Sequence, residues 1–232
     1  MIQHRRKVDL DTQDLGWLKA RYHFIVRPSG NAEHQPLGSL IVWNDDEVAP
    51  GAGFPMHPHR DVEIISYIRE GAVTHGDDAG GQGRTTAGDV QVISAGSGIR
   101  HAEFNRDATP LKLFQIWIRP NQRGGPPRWQ SRPFPKSHSF GRLVTLASGL
   151  PGDDDALAIR ADARVMGVML KAGEAVTHPL AAVSQVYLVP ARGSLLVNGE
   201  FVGTGDGIAL RESPRVLIEA AEDAEVVVVE VQ

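Results

Sequence analysis

Residues 51–63 of this sequence read Gly-Ala-Gly-Phe-Pro-Met-His-Pro-His-Arg-Asp-Val-Glu. His57, His59 and Glu63 stand at even separations, so an extended backbone points all three side chains to one face of a strand. A second cluster, His101-Ala102-Glu103, follows with the same every-other-residue spacing. Imidazole and carboxylate groups are common ligands of divalent first-row metals. We therefore predict that two neighbouring strands bring the clusters together as a metal site.

Composition narrows the classes of protein and of partner. The 232 residues include no cysteine, which excludes disulfides and thiolate ligands, so any metal must be bound through nitrogen and oxygen. A net charge of -4 without a clustered Lys/Arg tract argues against nucleic acid. No secretion signal begins the sequence, and no run approaches the roughly 20 apolar residues of a membrane span. We therefore predict a cytoplasmic monomer without membrane or nucleic-acid partners.

The spacing of apolar runs predicts an all-β chain. Runs rich in Val, Ile, Leu and aromatic residues recur between clusters of Gly, Pro, Asn and Asp, as in strands joined by turns. A helical turn is predicted at residues 11–19, and the four valines at 226–229 are typical of a strand buried on both faces. The predicted strands cover residues 22–26, 38–43, 63–68, 89–93, 113–118, 141–146, 163–170, 184–189, 194–197, 207–210, 216–219 and 224–231.

A segment rich in glycine and proline, residues 120–139, divides the chain. We predict an N-terminal domain over residues 1–135 that holds the metal and a C-terminal domain over residues 136–232 that does not. Eight of the nine histidines precede residue 140, and His178 in the second half has no His-x-His or His-x-Glu beside it.

The two halves also show a weak internal repeat. The stretch from Tyr67 to Gly71 is echoed from Tyr187 to Gly193, and Gly88-Asp89 is echoed by Gly205-Asp206. Such a repeat predicts two similar barrels. Within the second, Asn198-Gly199 is a strong signal for a two-residue hairpin.

The two clusters and the glycines around them resemble the conserved motifs of the cupin superfamily. The pattern is Gly51-x5-His57-x-His59-x3-Glu63-x7-Gly71, with one extra residue before Gly71, followed by Gly88 and by His101-x3-Asn105. More narrowly, four stretches are similar to the signature of the pirin family. They are Gly53-Phe54-x-x-His57-Pro58-His59-Arg60, Gly88-Asp89-Val90-Gln91, Ala95-Gly96-Ser97-Gly98-Ile99 and His101-Ala102-Glu103. The similarity is dense over residues 38–120 and thin after residue 140.

This resemblance implies a bicupin fold, in which two antiparallel β-barrels of the jelly-roll type pack face to face. It implies one divalent metal ion in the first barrel, with His57, His59, His101 and Glu103 as ligands. Such a set leaves two adjacent coordination positions for water, substrate or dioxygen. Iron is favoured, while nickel, manganese, cobalt and zinc stay open because ligand identity does not choose among them.

Three further residues are candidates for the surroundings of the metal. In the general cupin motif the carboxylate ligand stands at the position of Glu63. Here Glu103 is favoured as the ligand, and Glu63 as a supporter that accepts an imidazole N–H. Arg60 and His75 are candidates for the same cavity, although a surface ion pair and a turn histidine are the simpler interpretations.

The resemblance also implies a function. Bacterial pirin-like proteins are similar to quercetinases, which open the central ring of a flavonol with dioxygen and release carbon monoxide. Glu103 would then be both a ligand and the catalytic base that takes the proton of the 3-hydroxyl group. Two alternatives stay open: a redox-sensing regulator resembling eukaryotic pirin, and a cupin acting on another small enolisable substrate. The absence of a basic stripe weighs against the regulator.

Overall fold

The computed structural model describes residues 1–28, 30–134 and 141–232. Apart from a 3-10 turn at Lys7–Asp9, the regular elements in these ranges are β-strands, which confirms the all-β class. None of the described residues form a helix long and apolar enough to cross a membrane. The predicted boundary between residues 135 and 136 lies outside the described residues, so the division into domains stays a prediction.

The first half of the chain supplies most of one jelly roll. Its strands, in chain order, are β1 (Ile2–Arg5), β2 (Asp11–Asp14), β3 (Leu18–Tyr22), β4 (Leu40–Val48), β5 (Gly53–His59), β6 (Glu63–Glu70), β7 (Ala72–Asp77), β8 (Gln82–Thr86), β9 (Asp89–Ser94), β10 (Ile99–Phe104), β11 (Leu111–Ile118) and β12 (Arg128–Pro133). Eleven of them form a seven-stranded sheet, β12-β9-β6-β11-β4-β3-β2, and a four-stranded sheet, β5-β10-β7-β8. We call these two sheets the first roll.

The second half repeats the arrangement. Its strands are β13 (Val144–Ser148), β14 (Leu157–Ala158), β15 (Ala163–Leu170), β16 (Ala175–Pro179), β17 (Gln185–Arg192), β18 (Leu195–Val197), β19 (Glu200–Val202), β20 (Gly207–Leu210), β21 (Arg215–Ala220) and β22 (Ala224–Val231). They form the sheets β1-β20-β17-β22-β15-β13-β14 and β16-β21-β18-β19, which we call the second roll. The pair β13–β14 is parallel, whereas the strands around it pair antiparallel.

The two rolls pack through their seven-stranded sheets. Trp43, Ile65 and Phe114 of the first roll share one buried apolar cluster with Tyr187 and Val227 of the second. Face-to-face packing is therefore confirmed, although each roll is an open sandwich of two sheets rather than one continuous hydrogen-bonded ring. Strand β22 is buried along its whole length, as its run of valines predicts.

The internal repeat is visible in the strand order. Strand β6 lies between β9 and β11, and β17 lies between β20 and β22 in the same way. Tyr67 and Tyr187 open the two echoed stretches, and both are fully buried. Gly88 and Gly205 have φ values of 85° and 81°, which favour glycine, and each stands just before the equivalent strand. The predicted Asn198-Gly199 hairpin joins β18 to β19, with φ of 47° and 88°.

The predicted helical turn at residues 11–19 is wrong, because this segment belongs to the β2–β3 hairpin. Asp14 caps the turn, since its Oδ1 accepts a hydrogen bond of 2.8 Å from the backbone N–H of Gly16. Gly16 has a φ of 79°, a conformation that favours glycine. Leu18, Ala20 and Tyr22 are buried at a period of two, so packing of one strand face outweighs the capping signal.

Strand β1 joins the second roll although it begins the chain. Ile2 pairs with Leu210, so β1 is the edge strand of the seven-stranded sheet, next to β20. In the first roll the equivalent edge strand is β12, next to β9. The buried Arg5 anchors it: Nη1 donates a hydrogen bond of 2.5 Å to the carbonyl oxygen of His23. The guanidinium group also lies 4.6 Å from the ring centroid of Phe24.

A buried carboxylate gives the second roll a pH-dependent stability. Oε2 of Glu230 lies 3.0 Å from Nε2 of His178, and Oε1 accepts a hydrogen bond of 2.6 Å from the hydroxyl of Ser184. Burial alone would raise the pKa of Glu230, but these hydrogen bonds together outweigh it and lower the pKa. A carboxylate with a lowered pKa stabilises the fold above its unfolded pKa, and this contribution is lost as the pH falls through the folded pKa.

We expect Glu230→Gln to lower the free energy of unfolding at neutral pH by about 2 kcal/mol. Because the variant lacks the titrating group, its melting temperature should fall less steeply than that of the wild type between about pH 5 and about pH 3. Thermal unfolding across this range measures both effects. Glu222→Gln, at an exposed carboxylate that accepts from Ser194, is the control. Parallel profiles for the wild type and Glu230→Gln would contradict the prediction.

Candidate metal centre

Strands β5 and β10 bring the two sequence clusters together. They are antiparallel neighbours in the four-stranded sheet of the first roll, and His101 pairs with His57 across them. The metal-binding nitrogens of His57, His59 and His101 can all lie within 4.8 Å of one another. Their ring centroids are 4.5 to 4.9 Å apart. The structure thus gathers three imidazoles at one point on the inner face of this sheet.

A β-bulge adjusts the register beside these imidazoles. On β10, His101 stands opposite His57, but Glu103 stands opposite Phe54 rather than opposite Pro55, so β5 carries an extra residue here. Gly53 lies against the end of β10, where an added Cβ would come within 2.2 Å of the carbonyl oxygen of Glu103. Glycine at position 53 is therefore required by close backbone approach.

The imidazole nitrogens are available for a metal ion. His101 is 1% exposed, and neither of its ring nitrogens has a hydrogen-bond partner among the described residues. Nδ1 of His57 lies 2.7 Å from the carbonyl oxygen of Pro55. A carbonyl oxygen only accepts, so Nδ1 carries the proton and Nε2 keeps its lone pair. Buried polar atoms without partners are costly, and a metal ion at this point would give one nitrogen of each imidazole a partner.

The electrostatics of the site favour uncharged imidazoles. Burial, together with neighbouring imidazoles, lowers the pKa of His101 to about 3 and that of His59 to about 4. Both rings are therefore neutral near pH 7, the form in which histidine binds metals. The donor set of imidazoles and a carboxylate fits a divalent first-row ion.

Glu103 is buried like His101, with 5% of its surface exposed, whereas His57 and His59 are half-buried. Its Oε1 accepts a hydrogen bond of 2.5 Å from Gln91, and its Oε2 accepts one of 3.3 Å from Gln115. Burial raises the pKa of Glu103 to about 7, against the opposing effect of these two hydrogen bonds. Glu103 forms a second possible ligand group with His75 and His101, so His101 belongs to both groups.

His75 is a buried neighbour of His101 and Glu103. It lies on β7, where it pairs with Glu103 of β10, and its ring centroid is 5.5 Å from that of His101. Its Nε2 lies 2.7 Å from Oδ2 of Asp77, and its ring stacks on Trp129 at 5.2 Å. His75 is thus a buried neighbour of the predicted ligands rather than an exposed turn histidine.

Glu63 belongs to neither of the two possible ligand groups among the described residues. Strand β5 ends at His59, and Asp61 with a φ of 51° turns the chain, so β6 belongs to the other sheet of the roll. The even spacing of Glu63 from the histidines therefore does not put it on their face. Its Oε2 accepts a hydrogen bond of 2.5 Å from Ser94. Arg60 is exposed and lies beside Gly98. Their supporting roles stay predictions.

A cavity of about 350 Å³ opens onto the imidazoles. Phe54, Ile64 and Trp117 supply apolar walls, while Asp46 and Gln115 supply polar atoms. Asp46 is buried with Oδ1 unpartnered among the described residues, and burial, with Asp45 and Glu103 nearby, raises its pKa to about 8.

No role was predicted from the sequence for Gln91, Gln115 or Asp46. A signal for the two glutamines is present, because each interrupts an apolar run. Gln91 stands between Val90 and Val92, and Gln115 between Phe114 and Ile116. In a strand whose neighbouring residues are buried, such an amide needs a polar partner inside the protein.

Comparisons with known proteins find relatives that span the whole chain. The family model described as Pirin matches residues 3–118, and that described as Quercetinase C-terminal cupin domain matches residues 145–231. A protein of Pseudomonas aeruginosa provisionally named quercetin 2,3-dioxygenase is 53% identical over 231 residues, covering 100% of both chains. The quercetin 2,3-dioxygenase of Escherichia coli is 34% identical over 227 residues, covering 97% of this chain and 96% of its own length. The crystal structure of a bacterial pirin from Escherichia coli in complex with nickel(II) has a TM-score of 0.92 at 32% identity, covering 100% of this chain and 99% of that one. The chain therefore belongs to the pirin family.

Proposed function

We propose that this protein is a metal-dependent dioxygenase that opens the central ring of a flavonol with dioxygen. One observation carries the proposal: His101 is a buried imidazole without a hydrogen-bond partner in the described part of the chain, and it lies with His57 and His59 at a substrate-sized cavity. The name quercetin 2,3-dioxygenase, borne by relatives over nearly their whole length, supports the same reaction.

In this proposal one divalent ion is held by His57, His59, His101 and Glu103. When bound, the ion supplies Lewis-acid activation of the enolic hydroxyl and the redox contact with dioxygen. Iron is favoured, and nickel, manganese, cobalt and zinc are the alternatives, since this donor set suits all of them. Nickel(II) in the Escherichia coli pirin structure supports a divalent ion in this fold.

Glu103 has the properties of a general base. Its pKa of about 7 lies near neutral pH, where about half of the carboxyl groups are ionised and able to accept a proton. It lines the same cavity as the imidazoles, which supports a role in accepting a proton from a substrate bound there. The proton of the flavonol 3-hydroxyl would pass to Glu103 as the ring is oriented.

The cavity walls suit a planar aromatic substrate. Phe54, Ile64 and Trp117 exclude water from the reacting face. A second hollow of about 500 Å³ shares Tyr22, Asn44 and Trp117 with the first, which leaves room for an aromatic substituent beyond the metal. We also propose that the protein is a monomer and is located in the cytoplasm.

Reconstitution tests the function directly. Protein loaded anaerobically with iron, nickel, manganese or cobalt is expected to consume dioxygen when a flavonol is added. Glu103→Gln should lose about 100-fold or more in kcat, the contribution expected of a general base. Oxygen uptake is measured with a flavonol panel and with other small enolisable compounds. No turnover of any flavonol with any metal would overturn the proposal, and turnover of another enolisable compound alone would replace the substrate.

A further inference from the structure

Two symmetrical pairs of side chains hold the carboxylate of Glu103. Trp117 donates its indole N–H to Oε1 of Gln115 at 3.1 Å, and Nε2 of Gln115 donates to Glu103 at 3.3 Å. On the other side, Trp129 donates to Oε1 of Gln91 at 3.2 Å, and Nε2 of Gln91 donates to Glu103 at 2.5 Å. We call these the Trp117–Gln115 arm and the Trp129–Gln91 arm.

The indole groups decide which way each amide faces. A glutamine amide presents either its NH2 group or its oxygen to a neighbour, and rotation by half a turn exchanges them. An indole N–H only donates, so Trp117 and Trp129 each require the oxygen of the glutamine. The NH2 groups of Gln115 and Gln91 are therefore left for Glu103, which accepts one hydrogen bond on each oxygen.

Each tryptophan also contacts an imidazole of the site. The ring of Trp117 meets that of His59 edge-to-face at 5.0 Å, and Trp129 stacks on His75 at 5.2 Å. Room for Trp129 depends on Gly83, where an added Cβ would come within 2.1 Å of the indole ring. Each arm thus contacts both the carboxylate of Glu103 and an imidazole beside it.

We infer that Trp117 and Trp129 are positioning residues for Glu103, each acting through the orientation of one glutamine amide. By directing one NH2 group at each oxygen of the carboxylate, the arms hold it in one place and orientation, ready to ligate a cation. Groups that hydrogen-bond to metal ligands in this way commonly contribute about 10- to 100-fold to metal affinity. The inference rests on the metal site of the proposed function.

The arms differ in how firmly they are held. Oε1 of Gln91 also accepts a hydrogen bond of 3.1 Å from the hydroxyl of Thr85, whereas Trp117 is the donor that the structure gives for Oε1 of Gln115. Loss of Trp129 leaves Thr85 to orient the amide, while loss of Trp117 leaves Gln115 free to rotate. Trp117→Phe should therefore weaken metal binding more than Trp129→Phe does.

The affinity for Ni²⁺, measured by isothermal titration calorimetry on the full-length protein, tests the arms. We expect Gln115→Met and Gln91→Met, which remove the donors with little change of shape, each to weaken binding about tenfold or more. Trp43→Phe is the matched control, since Trp43 is a fully buried tryptophan of the same roll whose Nε1 has no partner among the described residues. It should leave the affinity unchanged. Circular dichroism and thermal unfolding of the metal-free variants check their folding.

A double-mutant cycle separates the amide from the direct contact with His59. If Trp117 acts through Gln115, Trp117→Phe should weaken Ni²⁺ binding in the wild type but have no further effect in Gln115→Met. An equal effect in both backgrounds would overturn the inference, because Trp117 would then act without the amide. So would unchanged affinity in both glutamine variants while the wild type binds Ni²⁺. Failure of the wild type to bind Ni²⁺ would instead overturn the metal site itself, and the inference with it.

Discussion

His101→Ala is expected to weaken Ni²⁺ binding by at least about 100-fold, more than loss of any residue behind the ligands. His101 is the residue that both possible ligand groups share. Its loss therefore removes a ligand from each group and leaves neither with three. The metal-free protein should melt at nearly the same temperature as the wild type, because the imidazole has no hydrogen-bond partner among the described residues. The rise in melting temperature on adding Ni²⁺ should disappear, since only ligands that bind the folded state stabilise it.

His178→Ala is the matched control for this variant. His178 lies in the second roll and is hydrogen-bonded to Glu230, so its loss should lower the melting temperature and leave the Ni²⁺ affinity unchanged. Calorimetry and thermal unfolding on both variants give the two readouts. If His101→Ala binds Ni²⁺ as tightly as the wild type does, the ion is bound elsewhere and the site assignment fails.

Tyr187→Ala is expected to cost about 4 kcal/mol of unfolding free energy, the largest stability loss that we predict from packing. Tyr187 belongs to the second roll, but its ring contacts those of His23, Phe24 and Trp43, with centroids 4.8 to 5.8 Å away. Its hydroxyl oxygen also lies 2.9 Å from Nδ1 of His23. Truncation would therefore open a cavity in the apolar layer that joins the two rolls.

Tyr187→Phe separates packing from hydrogen bonding at the same position. It keeps the ring and removes the hydroxyl, so it should cost only about 1 kcal/mol. Urea unfolding followed by tryptophan fluorescence measures both variants. Equal losses for the two would show that the hydrogen bond to His23, and not the packing of the ring, stabilises the junction.

Strands buried by apolar side chains were predictable from the sequence. Residues 163–170, 207–210 and 224–231 form β15, β20 and β22 with the predicted bounds. Strands β7 and β8 were not predicted, because glycine, histidine and arginine interrupt their apolar patterns. These two strands, with β5 and β10, form the sheet that carries the candidate site. Polar residues and glycines near the site thus interrupt the alternation of apolar and polar residues by which a strand is recognised in a sequence.

The meeting of His57, His59 and His101 was predictable because spacing by two along a strand fixes the face. The surroundings of Glu103 were not, since Gln91 and Gln115 reach it from β9 and β11 of the other sheet. Contacts between sheets depend on how the roll curves, and this is not encoded in the spacing along any one strand. Glu63 is close to His57 and His59 in sequence but lies in the other sheet, because the chain turns at Asp61 between them.

The pairing of Ile2 with Leu210 has a consequence for the order in which the chain assembles. During synthesis β1 is made some two hundred residues before its partner β20, so β1 stays unpaired until β20 has emerged. Without β1, the second roll has an open edge at β20, where another chain could pair. The second half expressed alone would keep that edge open permanently. Aggregation of this fragment, relieved by adding a peptide of residues 1–10, is what such an assembly order implies.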